Sequence, residues 1–104
     1  AFPKLMDIMQ KHYEEGGTLA AICAAPGVVL GQLPSLEGRR MTCYDGFEDM
    51  LRNKGAEYVR EGVVVDGNII TGRGPGWAVE FGLAILALIK GQETADRVKA
   101  GLML

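Results

Sequence analysis

An α/β fold with parallel strands covered by helices is predicted from three features of the sequence. Strand-like apolar runs alternate with segments of helical period. The run Leu19-Ala20-Ala21-Ile22 is apolar at every position, as a strand buried on both faces must be. Hydrophobic residues make up 48% of the 104 residues, too many for a disordered chain and enough for one small domain.

Pro3 suits the first turn of a helix, and Leu5, Met6, Met9 and Tyr13 recur at helical spacing until Glu15-Gly16-Gly17 stops it. Leu19 to Ile22 is the buried strand. A short apolar helix follows from Ala24 to about Gly31, entered through Pro26, and Leu33 to Gly38 is a loop. Arg40 to Cys43 fits a short strand. Phe47, Met50 and Leu51 mark one face of a helix ending near Gly55, and Glu57 to Arg60 reads as a further short strand. Val63-Val64-Val65 and Ile69-Ile70 flank Asp66-Gly67-Asn68, a strong hairpin signal. The glycine-rich loop Thr71 to Gly76 leads into a hydrophobic helix from about Trp77 to Lys90, read as buried. A last amphipathic helix carries Thr94 through Lys99.

Composition excludes several classes. The net charge is −2 with no basic run, so nucleic-acid binding has nothing to rest on. The longest strongly apolar stretch, Phe81 to Ile89, is far short of the ~20 residues of a membrane span. Cys23 and Cys43 read as free thiols of an intracellular protein, with no secretory signal, and the cytoplasm is the expected location. Few strands are present for a complete parallel sheet, which would leave an apolar edge and faces open. Further protein is therefore expected against it: a missing N-terminal half, a second chain or a symmetry mate. The chain opens at Ala1 within a helix-like segment, which suggests a processed or truncated start.

The chemistry centres on Cys23. An apolar strand ends on this cysteine, and Ala24-Ala25-Pro26-Gly27 then turns into a helix. A nucleophile elbow lifts its reactive side chain out of a sheet in the same way. Unpaired backbone N–H groups and the positive dipole end at a helix start favour thiolate over thiol. The competing reading is a small buried hydrophobe. His12 is the sole histidine, and its place before the strand suits a surface residue better than a catalytic base. Tyr44 and Cys43 end the next strand at the same sheet edge. There Tyr44 can offer a hydroxyl and Cys43 can resolve an oxidised Cys23, or both simply pack. The loop Gly74-Pro75-Gly76 reads as an anion-binding helix entry or as a tight turn, and Glu80 as a structural carboxylate that bonds a nearby loop.

The segments AAICAAPGVVL, GNIITGRGPGWAVEFGLAIL and GQETADRVKAGL together resemble the ThiJ/PfpI superfamily, and within it the DJ-one (parkinsonism-associated deglycase) branch. The likeness runs from about Phe2 to Leu104. It implies a flavodoxin-like α/β/α sandwich, of the class I glutamine amidotransferase type, usually dimeric. Residues 1–104 would be the C-terminal part of a single ThiJ/PfpI domain of ordinary size, with roughly 80 further residues ahead of them. Those residues would supply the first strands, a glutamate hydrogen-bonded to the cysteine, and a glycine amide. The N-terminal fragment would then be present as a second chain.

The resemblance also implies site roles. Cys23 is the oxidisable elbow nucleophile, and the Ala24 amide forms part of an oxyanion site. Cys43, Tyr44, Gly74, Pro75 and Trp77 are candidate pocket residues. Three positions depart from the family pattern: Tyr44 stands where His is frequent, Gly72 where Ser is common, and Trp77 where Thr or Ser usually follows the GPG triplet. The expected function is a glyoxalase III or deglycase with no cofactor or metal, acting on methylglyoxal or glycated groups and linked to oxidative stress. The alternative is a non-enzymatic redox sensor or chaperone. A cysteine peptidase is a third reading, disfavoured because no histidine is suitably placed.

Overall fold

The computed structural model describes residues 3–102; Ala1, where the truncated start is read, and the ends of the family likeness at Phe2 and Leu104 lie outside them. Helix α1 spans Pro3–Glu14 and strand β1 Leu19–Ile22. A four-residue helix α2, Ala25–Val28, runs on into a 3-10 turn at Leu30–Gln32. Strand β2 (Arg40–Met41), helix α3 (Glu48–Arg52) and strand β3 (Glu57–Tyr58) follow. Strands β4 (Val63–Asp66) and β5 (Ile69–Gly72) form the hairpin, and helices α4 (Ala78–Lys90) and α5 (Gln92–Gly101) close the order.

The main sheet has the order β1-β5-β4. β1 pairs with β5 in parallel, Leu19 opposite Ile69 and Ile22 opposite Gly72, while β4 and β5 are antiparallel. Gly67 and Asn68 make the two-residue hairpin loop. Gly67 has φ +56°, and Cys23 is the one non-glycine with positive φ among the described residues. Positive φ at the first loop position alone is the type II′ pattern, whose twist matches the flanking strands. β2 and β3 form a separate parallel pair. Beyond Met41 the β2 segment joins the main sheet through side chains. The Thr42 amide donates to Thr71 Oγ1 at 2.9 Å, and the Thr42 hydroxyl donates to the Glu61 carbonyl at 3.0 Å. The expected strand through Cys43 therefore ends two residues early, because a hydroxyl replaces a ladder partner.

The core gathers Leu30, Leu33, Leu36, Met41, Cys43, Leu51 and Ile69, all essentially solvent-free, between α1, the α2–α3 layer and the sheet. Burial at this level contributes about 1.5–3 kcal/mol for each large aliphatic side chain. α2 reaches α3 closely because Gly27 has no side chain: a Cβ there would lie 2.9 Å from the Phe47 carbonyl oxygen.

Two expectations of burial are corrected. β1 is an edge strand among the described residues, with Ala20 exposed and its other residues half-buried. No residue of α4 is fully buried, although the helix is apolar around almost its whole circumference. It packs on α5 and one side of the sheet, and Val79, Leu88 and Ile89 stay exposed. Apolar composition reports what a surface can bury; the described elements cover only part of it.

Candidate functional site at the end of the first strand

At the end of β1 the chain enters the left-handed region at Cys23, with φ +64°. That conformation is costly for a residue with a Cβ and is held here by both neighbours. The Cys23 amide donates to the Gly72 carbonyl at 3.0 Å, and the Tyr44 amide donates to the Cys23 carbonyl at 2.6 Å. The elbow is thus strapped to β5 on one side and to the β2 extension on the other. Gly72 allows the approach: a Cβ there would sit 2.9 Å from both Ile22 Cγ1 and Phe81 Cδ1. Ala24 caps α2, with Pro26 in the first turn and no side-chain cap. The cysteine is half-buried.

The two cysteines differ sharply. Cys43 is fully enclosed in the core. Burial, with the nearby Glu48 and Asp45 charges adding to it, pushes its thiol up to about 11. It is absent from the cavity that Tyr44, Gly74, Pro75 and Trp77 line, and lies in the core instead. An enclosed, protonated thiol is also unsuited to resolve an oxidised Cys23.

Tyr44, Gly74, Pro75 and Trp77 do come together, and with Asp45 and Arg73 they line a cavity of about 220 Å³. Arg73 donates from Nε at 3.1 Å and from Nη2 at 2.8 Å to Asp45 Oδ1, and its guanidinium lies 5.5 Å from the centre of the Trp77 ring. The bond to Asp45 holds the Arg73 pKa above its ordinary value. Asp45 and Arg73 were not apparent from sequence; the available signal was one cation set inside a glycine-rich loop. Trp77 lies where Gly62 has no side chain, since a Cβ at 62 would collide with the indole.

His12 sits at the far end of β1, about 13 Å of strand from the elbow. Its Nε2 is 3.2 Å from the Thr18 carbonyl, and its ring lies over Gly17, as a helix-end residue does. Glu80 is exposed and makes no loop bond among the described residues. It lines a groove of about 720 Å³ between α4 and α5, floored by Val79, Leu83, Ala87 and Ala95.

The chain is similar to known proteins in sequence and in fold. Glutathione-independent glyoxalase DJR-1.2 of Caenorhabditis elegans is 32% identical over 94 residues, covering 90% of this chain and 50% of the relative. Deglycase PYRAB04690 of Pyrococcus abyssi is 39% identical over 82 residues, covering 75% and 49%. The crystal structure of Drosophila melanogaster DJ-1beta superposes with a TM-score of 0.86 at 40% identity, over 95% of this chain and 53% of the other. The chain thus spans about half the length of these relatives. The α/β fold is shared with that structure. The model of the DJ-1/PfpI family matches residues 1–88, and the chain belongs to that family.

Proposed function

We propose that Cys23 is the nucleophile of a glyoxalase or deglycase that acts on small α-oxoaldehydes such as methylglyoxal, or on the glycated groups they form. The observation that carries this reading is a half-buried cysteine in the left-handed conformation between β1 and α2. A residue is kept in so unfavourable a conformation only where its surroundings over-determine it, and such positions cluster at reactive sites.

In the proposed reaction the Cys23 sulfur adds to the aldehyde carbon, and the carbonyl oxygen takes up a proton to give a hemithioacetal. A proton moves from that carbon to the neighbouring carbonyl carbon through an enediol, leaving a thioester of lactate. Water hydrolyses the thioester, releasing lactate and the thiol, so methylglyoxal plus water becomes lactic acid with no external oxidant. The Ala24 amide would stabilise the developing oxyanion. A carboxylic acid from a preceding segment would carry the proton.

Residues 1–104 would then be the C-terminal part of one domain completed by an N-terminal segment, and the whole would act as a cytoplasmic homodimer. The unpaired edge of β1, the uncovered side of α4 and the half-length match to the relatives support that completion. In the full-length protein, methylglyoxal consumption should fall at least about 100-fold in Cys23→Ser and in Cys23→Ala. Undiminished turnover in either variant overturns the assignment.

A second reading, an oxidation-responsive sensor or chaperone, draws on the contrast between an accessible Cys23 and a sealed Cys43. Peptide mass spectrometry after mild peroxide separates the two: oxidation confined to Cys23 with no aldehyde consumed selects the sensor.

A further inference from the structure

The cavity beside the elbow has a composition that narrows the substrate. Its walls grow directly from the two residues that strap Cys23. Gly72, which accepts the Cys23 amide, is followed by Arg73 and Gly74; Tyr44, which donates to the Cys23 carbonyl, is itself a wall. The cavity walls thus adjoin the backbone that holds Cys23 on both sides.

Two rings face the space. A Cβ built on Gly74 would lie 3.6 Å from Tyr44 Cδ1 and 3.9 Å from Trp77 Cε3, so both rings reach the same point above a bare backbone. A space walled by two aromatic rings favours contact with a planar apolar group. The cavity volume of about 220 Å³ is far more than a methyl group fills. The one cation present is already bonded to Asp45 and lies against the Trp77 ring. A substrate carboxylate would have to compete with Asp45 for it, and would meet the Asp45 charge as well.

We propose that Trp77, with Tyr44, forms an aromatic subsite that makes this protein prefer α-oxoaldehydes bearing a planar aryl substituent over methylglyoxal. The proposal rests on the glyoxalase reading above and names the substrate class of that same site. Trp77 sets specificity by contact with the substituent, and Gly62 makes the space in which the indole lies.

The test compares initial-rate kcat/KM values for phenylglyoxal and methylglyoxal in the full-length protein. The phenylglyoxal-to-methylglyoxal ratio should exceed one and, with one stacked ring lost, should fall about three- to tenfold in Trp77→Thr, mainly through KM. Trp77→Phe keeps a ring face and should retain most of the ratio, which separates loss of stacking from loss of folding. A ratio that stays within twofold in Trp77→Thr overturns the proposal. If neither aldehyde is turned over, the glyoxalase reading fails and the subsite is judged by binding alone. Saturation-transfer NMR with acetophenone, which lacks the aldehyde, then shows contact in the parent protein and its loss in Trp77→Thr, or shows no contact and overturns the subsite.

Discussion

At the hairpin end of the β1–β5 pair, one arginine reaches four acceptor atoms; at the elbow end, two backbone hydrogen bonds hold a cysteine in a conformation it disfavours. Arg39 donates to the Asp66 carboxylate at 3.2 Å, the Tyr13 hydroxyl at 3.0 Å, the Asn68 side chain at 2.8 Å and the Asp66 carbonyl. Asn68 in turn donates to the Gly17 carbonyl at 2.7 Å. Helix α1, the loop before β1, the hairpin and the approach to β2 are fastened there. The elbow end has none of this redundancy: its charged pair joins a half-buried Arg73 to an exposed Asp45. The two ends of one strand pair divide the work: the end where strands enter holds the fold, and the end where they leave carries Cys23 and the aromatic cavity. Ligands of open α/β sheets bind at that second end.

The sharpest test of this contrast is thiol labelling. Iodoacetamide on the native protein should alkylate Cys23 and leave Cys43 untouched until urea unfolds the chain, a rate difference of orders of magnitude read by peptide mass spectrometry. Labelling of Cys43 at the same rate would erase the distinction between sealed and presented thiols.

A smaller effect is expected at the fastened end. Arg39→Met removes a half-buried guanidinium and leaves Asp66, Tyr13 and Asn68 short of a partner. Unfolding free energy should drop by about 1–2 kcal/mol after allowance for solvent access, measured by urea titration. Acid sharpens the same point. The Arg40 amide, and then the Arg39 guanidinium, hold the Asp66 carboxyl below its ordinary value. That contribution is fully present above the ordinary carboxylate value and is lost as pH falls through the lower folded one. Asp66→Asn should therefore flatten the decline of the urea midpoint below about pH 4.

The smallest effect has the opposite sign. Cys23→Gly relieves the left-handed strain and should stabilise the protein by up to about 1 kcal/mol while abolishing turnover; Cys23→Ala abolishes turnover without that gain. Differential scanning calorimetry of the pair reads the difference. A less stable glycine variant would mean that the thiol, not the backbone, is what the elbow accommodates.

Much of this was legible in the chain before any coordinates. Asp66-Gly67-Asn68 specified its hairpin because a positive φ at Gly67 is a local requirement. Cys23 was legible because strand, turn and helix signals meet there within nine residues. The Arg39 cluster was not, since its partners lie 26 to 29 residues away in sequence and no periodicity links them. Cys43 shows the same limit. Its residue type fits a pocket or a core, and only its enclosure in the buried cluster that also holds Leu30, Leu36 and Leu51 decides for the core. α4 was readable as a helix but not as one left partly open, because exposure depends on what lies opposite.

Gly62 and Trp77 are fifteen positions apart yet occupy one volume. Neither can vary freely: any side chain at 62 evicts the indole, and a smaller residue at 77 leaves a void against bare backbone. The pair forms a two-letter signature. Chains that share the bulky ring should also keep the bare position upstream, and chains with Thr or Ser at 77 are released from that demand, so a drift in substrate preference would be written at two sites at once.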